Sequence, residues 1–161
     1  MKDAPVTVGR AAELESVYRE HGPRLWRAVL AYSGDPEIAS DAVAEAFAQA
    51  MASRSTIRSP VRWVWRTAFR VAAGSLKGRS SMVELDEEVP FETSEPAWEL
   101  LQALSQLSPK QRASVVLHHF AGYSVAEIAQ IIGAAPPTVK VHLNRGRNRL
   151  RRLLAEGGTD G

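Results

Sequence analysis

An all-α chain in two lobes is what this sequence predicts, and three observations predict it. Apolar residues recur at helical spacing along the chain, with no strand alternation longer than a few residues. Aspartate, serine and proline stand where helices would start, and glycine where several would stop. A polar, acidic stretch at 80–96 divides three helical segments from four, and reads as a linker extended by charge self-repulsion. The expected boundaries are 11–79 for the first lobe and 97–155 for the second. A chain of 161 residues allows one domain or two small ones. Two small ones would each bury a thin core and lean on helix packing or on a partner.

The first helix carries Leu14, Val17, Tyr18, Leu25, Val29 and Tyr32 at helical spacing. His21-Gly22-Pro23 falls in its one poorly filled turn, so a kink or break is expected there. The second helix opens with Asp35 as N-cap, Pro36 at the first helical position and Glu37 at the positive end of the dipole. Its stripe is Ile38, Val43, Phe47 and Met51, with alanines between that permit close packing. The third opens at Ser59-Pro60 and carries Val61, Val64, Trp65, Ala68 and Ala72 on one side. On another side Arg58, Arg62, Arg66 and Arg70 form an i, i+4 row. Like charges at that spacing repel, so a row that persists is expected to meet an anion.

The second lobe is punctuated by two capping boxes, Ser108-Pro-Lys-Gln111 and Ser124-Val-Ala-Glu127. Val115, Val116, Leu117 and Phe120 follow the first, and Gly122 can end that helix in the left-handed conformation. Ile128, Ile131, Ile132 and Gly133 follow the second. Pro136 and Pro137 then open a final helix with the stripe Val139, Leu143, Gly146, Leu150 and Leu153. A short helix, a turn containing glycine and a longer basic helix make a helix-turn-helix.

Charge is distributed unevenly. Seven basic residues and no acidic one lie from Arg54 to Arg79, and seven acidic and no basic one from Glu84 to Glu99. Six basic residues and no acidic one lie from Pro136 to Leu154. Two basic blocks around an acidic spacer suggest two surfaces for a polyanion. In a helix-turn-helix, residues near the start of the second helix reach base edges. Here they are Pro137, Thr138, Lys140, Val141, His142 and Arg145. Thr138 and Val141 suit thymine methyls, while Lys140 and Arg145 can donate to guanine or phosphate. Farther along, Arg149 and Arg152 continue one row with Arg145, and Lys140, Arg147 and Arg151 form another, placed to hold phosphates. Trp63, Trp65 and Phe69 interleave with Arg62, Arg66 and Arg70, an arrangement that can grip unstacked bases. Trp65 is expected to be core whatever Trp63 does.

Other chemistry finds little support. With no cysteine there is neither a disulfide framework nor a thiolate zinc site. His118 and His119 are adjacent, without the i, i+4 spacing of a zinc pair, and are expected to be one packed and one exposed residue. No Gly-rich phosphate loop, nucleophile elbow or apolar carboxylate pair appears, so no catalytic residue, metal or cofactor is expected. No apolar run approaches the roughly 20 residues of a membrane span. The N-terminal ten residues lack the apolar core of a signal peptide, so a cytoplasmic protein is expected.

LESVYREHGPRLWRAVLAYSGDPEIASDAVAEAFAQAM (14–51), with its DAVAEAF, resembles the core-binding part of region 2 of extracytoplasmic-function (ECF) sigma factors, small bacterial RNA polymerase specificity subunits. SPVRWVWRTAFRVAAGSLKGR resembles the promoter-melting helix that follows. From ALSQLSPKQR through SVAEIA to TVKVHLNRGRNRLRRLL the chain is similar to region 4. The resemblance implies a non-enzymatic subunit that directs core polymerase to promoters, nucleoid-associated when in the holoenzyme. It implies that Asp41, Glu45 and Phe47 lie in the helix that docks on the β′ clamp helices. Trp63, Arg66 and Arg70, with Arg62 beside them, would face the −10 element as it opens. Region 4 would rest on the β flap and place Thr138, Lys140, His142 and Arg145 in the −35 major groove. The acidic linker would run near the RNA exit path, and the resemblance admits an anti-sigma factor as a further partner.

The chain departs from the family pattern at several positions. Ala44 stands where Gln is usual, Arg70 where Asn often captures a flipped −10 base, and Gly74 where Asp follows. The turn before the last helix runs Ala135-Pro136-Pro137 in place of Ser-x-Gly. Gly146 stands where Ala is common, at a helix-interior cost of about 1 kcal/mol. Promoter choice is therefore expected to lean on the −35 contact or on an accessory protein. Two alternatives use less of the chain: a helix-turn-helix regulator without promoter opening, and a module that titrates polymerase or an anti-sigma factor.

Overall fold

The structure, a computed structural model, describes residues 4–78 and 95–157. The first lobe is built of α1 (Ala4–Ser33), α2 (Pro36–Ala52) and α3 (Pro60–Lys77). The second is built of α4 (Glu95–Ser105), α5 (Pro109–His119), α6 (Val125–Ile132) and α7 (Pro136–Gly157). No strand occurs among the described residues. Of the acidic 80–96 stretch only the last two residues, which open α4, are described.

Helix α1 continues through Pro23, so the poorly filled turn does not break it. A proline inside a helix removes one backbone hydrogen bond. Leu14 and Val17 before it, and Leu25, Ala28 and Val29 after it, are all buried, so packing on both sides holds the helix through the weak turn. Asp35 caps α2 as its sequence implies, its Oδ1 accepting from the N–H groups of Glu37 at 2.9 Å and Ile38 at 3.4 Å. The stripe of α2 is narrower than expected. Ile38, Ala39, Ala42, Val43, Ala46 and Ala50 are buried, whereas Phe47 is half-buried and Met51 exposed. The alanines carry the close contact, which pushes the larger side chains to its border.

Ser59 stands before α3, but its side chain makes no capping hydrogen bond. Val64, Trp65, Ala68, Phe69 and Ala72 face the core, and Val61 lies at its edge. Phe69 does not join Trp63 at the basic surface. Four residues from Trp65, it shares that residue's face, stacks on it with ring centroids 6.2 Å apart, and is fully buried. Only Trp63 of the three aromatics is left half-exposed beside the arginines.

Both capping boxes form, Ser108 with Gln111 and Ser124 with Glu127. Helix α6 ends on Gly133 at φ 69°, in the left-handed region where a side chain is disfavoured. Phe120, expected on the core side of α5, instead follows its last turn and is exposed. Val139, Leu143 and Gly146 are the buried residues of α7, with Leu150 and Leu153 at the margin. Gly146 is there for space: a Cβ would lie 2.8 Å from Val115 Cγ2 and 3.2 Å from the Gln111 carbonyl oxygen. Propensity alone makes Gly146→Ala stabilising by about 1 kcal/mol. Overpacking costs about 1–3 kcal/mol, which offsets or exceeds that gain, so a net loss of up to about 2 kcal/mol is expected in urea unfolding. A gain would contradict the close approach of α5 and α7.

The lobes do not stand apart. Their buried residues form one continuous cluster from Leu14 to Leu143. Helix α1 meets α4 and α5, and α3 meets α6. Between them Arg112 is almost fully buried, 1% exposed. Its Nε donates to the Tyr32 carbonyl oxygen at 2.6 Å, and Nη1 donates to that of Ser105 at 3.5 Å. Tyr32 lies in the last turn of α1, where carbonyls lack helical partners, so an arginine of one lobe caps a helix of the other. Burial lowers the Arg112 pKa and raises that of the Tyr32 phenol, each shift partly offset by the other group.

Candidate nucleic-acid interface

The α6–α7 pair is a helix-turn-helix packed from behind by α5. Its apolar stripe faces inward, which turns the opposite face of α7 to the outside. Pro137, Thr138, Lys140, Val141, Arg145 and Arg149 are all exposed there, as are Arg151 and Arg152. Val141, 44% exposed, is an apolar side chain left outward among basic and neutral polar ones. His142 is half-buried, and burial, Lys110 and Arg145 together lower its pKa. It therefore favours the neutral imidazole at neutral pH, able both to donate and to accept. Among the described residues none of the basic side chains of α7 enters an ion pair.

A second surface lies on α3. Trp63, Arg66 and Arg70 line a depression of about 360 Å³ with Gln49, Thr67 and Val71. Thr67 Oγ1 donates to the Trp63 carbonyl oxygen at 2.8 Å, and Gln49 Nε2 donates to Glu45 Oε1 at 2.9 Å. An unstacked base fits such a hollow: an aromatic face, an amide and two guanidinium groups. Sequence reading missed Gln49 and Thr67. Thr67 could have been found one turn from Trp63, but Gln49 arrives from α2 and has no local signal.

The arginine row does meet an anion, and it is in the other lobe. Glu127 Oε2 accepts from Arg62 Nη2 at 2.6 Å and lies 3.9 Å from Arg66 Nη2. Burial pushes the Glu127 carboxyl pKa up, but hydrogen bonds from Ser124 and Arg62 and the charge of Arg62 outweigh it, leaving it lowered. Arg58 and Arg70 remain exposed at the two ends of the row.

A third surface has the opposite sign. Glu37, Asp41 and Glu45 stand at i, i+4 and i+8 on the exposed side of α2, unpaired by any cation among the described residues. Beside them Phe47 packs edge-on against Tyr18, ring centroids 5.2 Å apart, next to exposed Met51. Carboxylates bordering an apolar patch suit a partner with basic and apolar groups together.

His118 is half-buried, its Nδ1 3.0 Å from the Tyr123 carbonyl oxygen, and His119 is exposed. No group of three metal-ligating side chains comes together among the described residues. No described helix is long and apolar enough to cross a membrane.

Comparison with known proteins matches residues 17–81 to the Sigma-70 region 2 family and residues 97–150 to the Sigma-70, region 4 family. The ECF RNA polymerase sigma factor SigL of Mycobacterium tuberculosis is 31% identical, over 92% of this chain and 92% of its own. The ECF sigma factor SigE of Mycolicibacterium smegmatis is 28% identical, over 91% of this chain and 63% of its own. Among solved structures, CnrH, determined with the cytosolic domain of CnrY, has a TM-score of 0.67 at 20% identity, covering 95% of this chain and 94% of its own. The Bartonella quintana sigma factor RpoE, determined with the anti-sigma factor NepR, has a TM-score of 0.62 at 22% identity, covering 90% of this chain and 96% of its own.

Proposed function

The chain belongs to the ECF sigma factors, RNA polymerase subunits that direct transcription to promoters, and from that premise we propose how its three surfaces divide the work. The exposed start of α7, from Pro137 to Arg145, reads the −35 element, with Arg149 and the arginines beyond holding phosphates. Trp63, Arg66 and Arg70, with Arg62, meet the −10 element, and the hollow on α3 receives one unstacked base. Asp41, Glu45 and Phe47 bind core polymerase at the β′ clamp helices, while the second lobe sits on the β flap. The two lobes correspond to functional domains at 11–79 and 97–155, with 80–96 as the connection. The subunit acts without enzymatic chemistry of its own, in the cytoplasm and on the nucleoid when part of the holoenzyme. An anti-sigma factor is a further partner, an assignment supported by the structural relative solved with the anti-sigma factor NepR.

The observation that carries the −35 assignment is the outward array on α7, whose only charged side chains from Pro137 to Arg152 are basic and enter no ion pair among the described residues. A residue at a base edge changes affinity in a sequence-dependent way, by about 1–3 kcal/mol for a bidentate contact. A phosphate contact weakens all sequences alike and lowers the salt slope by about one. Lys140→Ala and Arg145→Ala are therefore expected to relax preference at one or two −35 positions. Arg151→Ala and Arg152→Ala should leave preference unchanged. Holoenzyme binding to a promoter library randomised at −35, at two salt concentrations, separates the two behaviours. Run-off transcription from the selected promoters tests initiation itself. Unchanged preference in both Lys140→Ala and Arg145→Ala would remove base reading from these residues.

A further inference from the structure

The arginine row on α3 begins before the helix does. Arg62, Arg66 and Arg70 stand on successive turns, but Arg58 lies in the connection 53–59, ahead of Pro60, where helical geometry does not place it. Within the helix, Arg62 and Arg66 face Glu127, and the Tyr123 phenol donates to the Arg62 carbonyl oxygen at 3.3 Å. Arg58 has no such anchor. Ser59, between it and the helix, makes no side-chain capping bond. The connection is irregular backbone, with Arg54, Thr56 and Arg58 exposed and Ile57 half-buried against the core. It carries two cations and no acid.

Arg10 holds this connection. From near the start of α1 its Nη1 donates to the Ser53 carbonyl oxygen, and its Nη2 donates to that of Ser55 at 2.8 Å. One planar guanidinium thus fixes two carbonyls two residues apart, as its forked donors allow. Ser53 is the C-cap of α2, where carbonyls lack helical partners and the helix dipole favours a cation. Among the described residues no other side chain bonds this connection to another element. A hollow of about 250 Å³, lined by Arg10, Glu13, Thr56, Ile57 and Pro60, lies between α1 and the connection. The two therefore meet largely through the arginine and little through packing. Arg10 also precedes the residues matched to region 2, 17–81.

We propose that Arg10 is a positioning residue for promoter opening: it presets the 53–59 connection so that Arg54 and Arg58 extend the basic surface of α3 toward the opening strand. A loop ordered only on contact subtracts its ordering entropy from binding, and a loop held beforehand does not. Both terminal nitrogens of Arg10 are turned to carbonyls, which leaves Arg54 and Arg58 to meet phosphates. The inference rests on the reading of α3 as a DNA-facing helix.

The absence of native cysteine allows Thr56→Cys, at an exposed position, to carry a single nitroxide in the connection. In the full chain alone, Arg10→Ala is expected to sharpen the electron paramagnetic resonance spectrum toward that of a freely moving loop, with circular dichroism unchanged. Arg10→Lys, which keeps the charge but not the fork, should restore little of the order. In unlabelled holoenzyme, Arg10→Ala should lower affinity for a fork-junction template, cut from a promoter active in run-off transcription, by about tenfold. Affinity for a duplex −35 fragment should not change. With Arg54→Ala and Arg58→Ala already in place, adding Arg10→Ala should alter fork affinity by less than about twofold, because nothing is left for it to position. An unaltered spectrum, equal losses on both templates, or full additivity with the loop variants each overturns the proposal. Intact fork binding in both Arg66→Ala and Arg70→Ala would overturn the reading of α3 itself. That failure is distinct, because those variants leave Arg10 and its connection untouched and the spectrum is recorded without DNA.

Discussion

Reversing two charges on α2, Asp41→Lys with Glu45→Lys, is expected to reduce affinity for core polymerase by about a hundredfold or more. Both carboxylates are exposed, so neither change disturbs the buried alanine seam behind them. The exchange keeps one like-charged i, i+4 pair, gives Glu37 an opposite charge four residues on and removes the Gln49–Glu45 hydrogen bond, each worth only a few tenths of a kcal/mol to the helix. The loss would fall on the interface, where setting like charges against each other costs several kcal/mol. Fluorescence anisotropy of labelled chain titrated with core measures it, with circular dichroism as the control for folding. Undiminished affinity would move the polymerase contact away from this face.

The other large effect is on stability. Phe69→Ala removes a fully buried ring stacked on Trp65 and tilted against Tyr32 at 5.6 Å. A deletion of that kind costs about 3–5 kcal/mol. Trp63→Ala, six positions earlier on the half-exposed side, should cost much less while altering the surface proposed to meet the −10 element. Urea unfolding of both variants compares the two faces of one helix directly. Similar losses would mean that α3 is rotated from the orientation described here.

How far the fold could be read from sequence depended on the range of the interaction. Asp35, Ser108 with Gln111, and Ser124 with Glu127 cap helices through residues two or three positions away, and each was legible. The stripe of α7 was legible too, because its period needs no knowledge of what it packs against. Phe69 was misplaced by attention to neighbouring arginines, although its spacing from Trp65 already put it in the core. Met51 was misplaced because the closeness of α1 and α2, made possible by alanines, decides which side chains fit between them. The least legible residue was Arg112. A basic side chain reads as solvent-facing, and only the tertiary approach of α5 to the end of α1 supplies the carbonyls that let it be buried.

The bonded contact between the lobes also bears on competition among sigma factors for a limited pool of polymerase. If the polymerase-bound chain has its lobes apart, the free chain binds with an apparent affinity reduced by the fraction already open. At a closed-to-open ratio of about 99 to 1, the chain needs about a hundredfold more copies to reach the occupancy that its docking surface alone would give. Two such subunits with identical polymerase contacts would then rank by how tightly each folds upon itself. Substitutions at Tyr123 or Glu127, neither of them on the acidic face of α2, would reset the copy number at which a regulon switches on.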